Sequence, residues 1–154
     1  MYVDITQLDP QQIYITLTQT VIPRPIAWVL SENANGSLNL APYSFFNAVS
    51  SDPPLVMIST GLNPDGRPKD TRENIKQRRD FLIHIASTAQ LEELNASSAT
   101  LPAGESEVDH LGLRTVPLTG SRLPRLKDAK AAFVCTSPKK TRANCSEATT
   151  LYVK

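Results

Sequence analysis

The sequence predicts a mainly β fold, a strand-rich barrel with two short helices at its periphery. Three observations carry this. Twelve prolines and six glycines are spread through 154 residues, so the chain is broken too often for long helices. Between the breaks lie short runs of β-branched and aromatic residues, the side chains that fit a pleated, half-buried surface. In one run Phe81, Ile83 and Ile85 alternate with Leu82 and His84, the period-2 pattern of a sheet with one deeply buried face. A chain of this length is one ordinary domain that buries a core without staples, and no internal repeat divides it.

In chain order, Ile13 to Leu17 reads as a first strand and Ile26 to Leu30 as a second, entered from Pro23 and Pro25. Asn33 to Ser37 (NANGS) supplies a turn whose Asn-Gly pair suits a hairpin. Strands follow at Tyr43 to Val49, Leu55 to Ser59 and Phe81 to Ile85. Asp70 or Thr71 caps a helix that runs through Arg79, with Glu73 as the capping-box partner of Asp70. Ser87 with Gln90 offers the same device for a helix through Asn95. Residues 101 to 128 read as loop with a short strand at Val116 to Leu118, and Ala131 to Cys135 is again strand-like. Beyond it, TSPKKTRANCSEATT lacks apolar periodicity, carries excess positive charge and reads as a tail.

Lys plus Arg at 16 against Asp plus Glu at 15 gives a net charge of +1, so no global field draws the protein to nucleic acid or anionic lipid. The N-terminus MYVDITQLDP has no basic start followed by an apolar run, and no 18 consecutive apolar residues occur. A soluble, cytoplasmic protein that does not meet the membrane is expected. Cys135 and Cys145 have no histidine close by to complete a metal site, which leaves zinc without ligands, and both are expected as free thiols. With His84 and His110 the only histidines and no Gly-x-Ser-x-Gly, a side-chain catalytic triad is poorly supported. No catalytic side chain or metal is assigned; the chemistry belongs to a bound cofactor.

Three stretches carry polar groups in unusual places, and each admits two readings. In NLAPYSFFNAVSSDPP, Ser44, Asn47 and Ser51 either bond neighbouring backbone at strand ends or present donors and acceptors to a flat heteroaromatic ligand walled by Pro42, Tyr43, Phe45 and Phe46. In RPKDTRENI, Lys69 stands at the start of a helix. This is either an ordinary capped surface helix or a phosphate site built from backbone amides, a hydroxyl and an ammonium. In VIPRPIAWV, Arg24 lies between two prolines that fix its backbone, and its guanidinium faces either an anionic ligand edge or a carboxylate of the protein itself. Trp28 and His84 read as sheet core, His84 with a satisfied partner.

PRPIAWV, a Gly-containing turn, NLAPYSFFNAVSSDPP, VMIST and KDTRENI occur in the order seen in the flavin reductase-like family, and the chain resembles its FMN-binding split β-barrel (flavoredoxin-like) members from about Pro23 to Ile85. AGESEVDHLGL at 103 to 113 resembles the family more weakly. The resemblance implies a homodimer of split barrels, each binding FMN near the subunit interface. The activity it implies is transfer of hydride or electrons from NADH or NADPH to flavin, or through bound FMN to an acceptor. It places Asn39, Ala41, Tyr43 and Ser44 beside the isoalloxazine, Asn47 and Ser50 along the ring and ribityl chain, Ser59, Lys69 and Thr71 around the phosphate, and Arg24 near the flavin edge. The alternative function is a flavin-binding electron-carrier module, or an incomplete, non-catalytic dimeric barrel.

The C-terminal end departs from the family pattern. RLPRLKDAKAAFVC matches the lead-in to the family's further strands, whereas the residues after it resemble nothing expected. Residues 1–134 are therefore expected to form the FMN-binding domain and 135–154 an atypical polar tail. The end of the barrel would be truncated or divergent, with an unpaired sheet edge.

Overall fold

The structure is a computed structural model that describes residues 2–137 and 148–153, the latter as a backbone strand. After a 3-10 turn at Ile5–Gln7 come helix α1 (Pro10–Thr20) and strands β1 (Ala27–Glu32), β2 (Leu38–Tyr43), β3 (Phe46–Ser51) and β4 (Pro54–Ser59). Helix α2 (Asp70–Arg78), strand β5 (Asp80–Ile85), a 3-10 turn at Thr88–Gln90 and the short helices α3 (Leu91–Ala96) and α4 (Glu107–His110) follow. The chain continues through β6 (Thr115–Val116), β7 (Arg125–Leu126), β8 (Ala131–Thr136) and β9 (Ala148–Val153). Seven strands form one antiparallel sheet in the order β2-β1-β5-β8-β9-β4-β3, and β6 and β7 pair separately. The edge strands β2 and β3 are consecutive in the chain, separated only by Ser44 and Phe45. The result is a mainly β fold with a few short helices, as the composition predicts.

Both faces of the central strands are buried, which corrects the expectation of one buried face. Ala27 and Val29 of β1 and Phe81 and Ile83 of β5 join Tyr43, Ile58 and Ile75 in one apolar cluster. Their neighbours Trp28, Leu30 and Leu82 point the other way, into a second cluster with Leu40, Leu94, Val108 and Leu126. Helices α3 and α4 and the 113–129 segment cover that outer face, so strands that alternate in sequence are apolar throughout. His84 is fully buried on this side: its Nε2 accepts from the Leu126 amide at 3.1 Å and its Nδ1 lies 3.3 Å from the Trp28 carbonyl. The Trp28 indole donates to Ser97 Oγ at 2.9 Å.

Three further expectations meet a different structure. Ile13 to Leu17 is helical, because Asp9 and Gln12 close a capping box around Pro10 and this start signal outweighs the β-branched residues that follow. Within α1, Thr16, Thr18 and Thr20 return their hydroxyls to carbonyls one turn back. The expected strand Tyr43 to Val49 is two strands broken at Ser44 and Phe45. Helix α2 starts with Lys69 as its N-cap and no side-chain cap bond, because the Thr71 side chain is drawn inward, and Arg79 ends it in the left-handed region at φ 69. The Ser87 and Gln90 capping box forms as expected and opens the turn that leads into α3.

The segment expected as a polar tail enters the fold at both described ends. Cys135 and Thr136 complete β8, and Ala148–Val153, the β-branched and aromatic end of the sequence, lies between β4 and β8 with Leu55 opposite Tyr152 and Cys135 opposite Val153. The edges of β4 and β8 are therefore paired. Residues 138–147, which carry Cys145 and half of the expected tail, lie outside the described residues. Cys135 is a free, buried thiol whose burial pushes it up to about 12.

Candidate functional site

A cavity of about 540 Å3 lies between β2, the 63–68 loop, the start of α2 and the 97–103 segment, within the size range of small-molecule sites. Asn39, Ala41 and Tyr43 reach it from alternate positions of β2, while Leu40 between them packs into the outer core. The 63–68 loop is a tight turn closed by the Asn63 amide donating to the Arg67 carbonyl, and an exposed Arg67–Asp65 ion pair stands at its rim.

The start of α2 contributes Lys69, Asp70 and Thr71 to the cavity wall. An uncapped helix start leaves backbone N–H groups aimed outward, a natural seat for an anion. Among the described residues the Lys69 ammonium forms no ion pair; it lies 5.9 Å from the centroid of the Tyr43 ring. Asp70 and Glu73 in the first turn oppose an anion there, and the ammonium and amides offset them.

Two kinds of polar group line this wall. Thr71 is internally bonded, its Oγ1 accepting from Asn39 Nδ2 at 2.8 Å. The Tyr43 hydroxyl is buried without a hydrogen-bond partner, an arrangement that costs free energy unless something completes it. Burial pushes the Tyr43 phenol up to about 12, with Glu107 and Asp70 adding to the rise; the Thr71 hydroxyl is near enough to oppose it but does not meet hydrogen-bond geometry with the phenol, so the group stays a neutral donor.

Five of the ten sequence-assigned residues, Asn39, Ala41, Tyr43, Lys69 and Thr71, meet at the cavity. The others lie elsewhere. Ser44 is in the bend after β2, and Asn47 is exposed on β3 with its Oδ1 accepting from the Ala48 amide. Ser50 Oγ donates to the Asp52 carbonyl, and Ser59 ends β4 with its amide on the Phe45 carbonyl. Arg24 Nη1 donates to the Thr18 and Val21 carbonyls at 2.6 Å, closing the end of α1, while its guanidinium lies over Phe45 at 5.9 Å. For Asn47 and Ser50 the described contacts are the local backbone bonds that such residues make at strand ends.

Sequence reasoning missed Glu107 and the 97–103 segment as parts of the wall. Glu107 is buried, and its Oε2 accepts from the Leu40 amide at 2.8 Å, closing a backbone donor on the outer side of edge strand β2. Burial holds its carboxyl above the usual range, the Leu40 amide opposing. The available signal was Ser106-Glu107-Val108-Asp109, in which Ser106 Oγ caps the Asp109 amide and so turns Glu107 inward. Among the described residues no group of three or more His, Cys, Asp or Glu side chains could hold a metal ion, and no helix is long and apolar enough to cross a membrane.

Comparison with known proteins places these features in context. The profile described as "Flavin reductase like domain" matches residues 19–153. YwrF of Bacillus subtilis is 40% identical over 129 residues, which cover 84% of this chain and 62% of that protein. The chain thus spans about three-fifths of the length of the curated relatives it matches. Among solved structures, nitrilotriacetate monooxygenase component B from Bacillus cereus superposes with a TM-score of 0.87 at 29% identity over 100% of this chain and 78% of the other. The 2-nitrobenzoate 2-nitroreductase NbaA of Pseudomonas fluorescens gives 0.84 at 29% identity, over 100% and 73%.

Proposed function

The chain belongs to the flavin reductase-like domain family, and from that premise we propose that it binds FMN in the cavity beside β2 and α2. Flavin-related oxidoreductase activity is the family's common ground. The finer reading is transfer of hydride from NADH or NADPH to flavin, or of electrons through bound FMN to an acceptor. The observation that carries it is the grouping of unengaged donors at one end of the cavity: the Tyr43 hydroxyl, the Lys69 ammonium and the uncapped first turn of α2. Such a set fits a phosphate, which is too strongly charged to be buried unpaired.

In this reading Lys69 and the α2 amides hold the phosphate, Thr71 and Tyr43 supply hydroxyl donors, and Asn39, Ala41 and Pro42 form the wall along which the flat ring lies. FMN, when bound, supplies the redox chemistry. The protein's part is to bind, orient and exclude water, and no side-chain acid or base is required. A second copy of the chain is part of the proposal. Tyr14, Ile15, Leu17, Val21 and Ile22 are exposed on and after α1, an apolar surface suited to a partner of the same kind; sedimentation at twice the chain mass checks it. A cytoplasmic setting accompanies that reading.

The test is Thr71→Ala combined with Lys69→Ala, with FMN and riboflavin affinities measured side by side. FMN binding should weaken by about tenfold or more and riboflavin binding much less, because only FMN carries the phosphate. Equal losses for both would contradict the assignment. Steady-state oxidation of NADH and NADPH with added FMN separates an enzyme from a flavin-binding electron carrier, for which no turnover is expected.

A further inference from the structure

Helix α2 buries only three side chains, Thr71, Asn74 and Ile75. Ile75 enters the apolar cluster with Val29 and Phe81, where contacts are non-directional and tolerate small slides of a helix. Thr71 and Asn74 face a polar ring instead. Asn74 Nδ2 donates to Ser31 Oγ at 3.2 Å and to Asn33 Oδ1 at 2.8 Å. Ser31 Oγ also accepts from Asn39 Nδ2 at 3.2 Å, and Asn39 in turn donates to Thr71 Oγ1 at 2.8 Å. The path leaves α2 at Thr71, crosses β2 and β1, where Asn39 stands opposite Ser31, and returns to α2 at Asn74.

The far anchor is itself tied down by hydrogen bonds. Asn33 Nδ2 donates to Ser37 Oγ at 2.9 Å and to the Glu105 carbonyl at 3.3 Å, so Asn74 ties the helix to the β1–β2 hairpin and to the loop preceding α4. Ser31, Asn33, Asn39, Thr71 and Asn74 are all buried, so water is poorly placed to replace a lost member. Hydrogen bonds weaken steeply with distance and angle, which makes this ring, rather than Ile75, the element that fixes the height and rotation of the first turn of α2. Asn74 itself is not part of the cavity wall, whereas Thr71, one turn before it, is.

We propose that Asn74 is a positioning residue. Through Ser31 and Asn33 it holds the Lys69–Thr71 turn where it can meet the phosphate of an FMN-like ligand, and so it sets the preference for phosphorylated over unphosphorylated flavin. This rests on the phosphate reading above. Apolar packing at this position would bury the same helix face without fixing its register.

The experiment measures FMN and riboflavin affinities of the full chain by flavin fluorescence titration for wild type, Asn74→Ala and Ser31→Ala, with urea unfolding midpoints in parallel. Asn74→Ala should weaken FMN about tenfold while riboflavin changes by less than about threefold, because the phosphate contacts are charge-assisted and the ring contacts are not. Ser31→Ala, which leaves the Asn74 to Asn33 bond, should lower the FMN preference in the same direction by a smaller factor. A folded Asn74→Ala protein with an unchanged FMN-to-riboflavin ratio overturns the role, and so does a parallel loss of both ligands. If Asn74→Ala does not fold, Ser31→Ala decides by the same ratio. Wild-type protein that binds riboflavin as tightly as FMN defeats the phosphate reading and this inference together; a wild-type preference kept by both variants defeats the inference alone.

Discussion

Lowering the pH from 7 towards 4 should destabilise the protein through His84. The ring is fully buried between β1 and the 126 backbone. The Leu126 amide can only donate, so Nε2 must present its lone pair and Nδ1 must carry the proton towards the Trp28 carbonyl. A second proton on Nε2 would face the Leu126 N–H and bury a cation near Arg125. Burial accordingly pushes the imidazole down from 6.5 to about 4, with Arg125 adding to the shift and the Trp28 carbonyl opposing it. The unfolded chain therefore takes up a proton first as pH falls through 6.5. The stability contributed by the neutral ring is complete above that value and is lost down to about 4. A fall from 6.5 to about 4 corresponds to about 3 kcal/mol, a large share of a typical domain stability of about 5–15 kcal/mol. Urea unfolding at a series of pH values would measure it for wild type and for His84→Gln, whose amide keeps one donor and one acceptor but does not titrate. The difference between the two proteins should grow to about 3 kcal/mol across that window, and the subtraction cancels other titrating groups. Equal pH slopes for both would refute the argument.

Glu107 acts with the opposite sign: its carboxyl is raised by burial and by Asp70, against the Leu40 amide and His110, so its ionisation costs stability as pH rises above the ordinary glutamate value of 4.5. Glu107→Gln keeps an acceptor for the Leu40 amide and should gain on wild type with rising pH in urea unfolding; a constant offset would count against it. Trp28→Phe removes the donor to Ser97 Oγ and part of a fully buried side chain, and should cost about 2–4 kcal/mol by the same assay. A loss below about 0.5 kcal/mol would mean that the site relaxes around the smaller ring.

Where local chemistry alone decides, the sequence was readable. The Asn-Gly hairpin, the Ser87–Gln90 capping box and the strands beginning at Ala27, Pro54, Asp80 and Ala131 all follow from turn residues, caps and β-branched runs. At α1 two local signals competed, and the Asp9–Gln12 box with Pro10 prevailed over β-branched content in a helix that buries none of its residues. Tertiary placement was less legible. Strand β9 follows a polar run, and its place between β4 and β8 depends on pairing with residues far away in sequence. Burial of β5 on both faces depends on what the 113–129 segment covers, and no period within FLIHI reports that. In the site, Lys69 and Thr71 share one helical turn and could be grouped by spacing. Glu107 comes from an element 67 positions beyond Leu40, its partner.

The polar groups in this part of the chain divide by what they touch, and that division separates scaffold from site. Ser31, Asn33, Asn74 and the Asn39 amide face one another, each bond being made within the protein, and they fix β1, β2 and α2 relative to each other. Arg24 is engaged in part: its Nη1 holds the end of α1, while its Nε is buried without a partner. The Tyr43 hydroxyl is left over on the cavity side of that framework, and burial without a partner typically costs about 1–3 kcal/mol. Five neighbouring buried polar side chains are satisfied within the protein, whereas the Tyr43 hydroxyl, like Arg24 Nε, Thr60 Oγ1 and Glu93 Oε2 elsewhere, is not; at the cavity a ligand donor or acceptor would restore the stability so lost. The same argument limits the choice of ligand. A neutral apolar guest would leave the phenol and the Lys69 ammonium unmatched, whereas an anionic oxygen accepts from both.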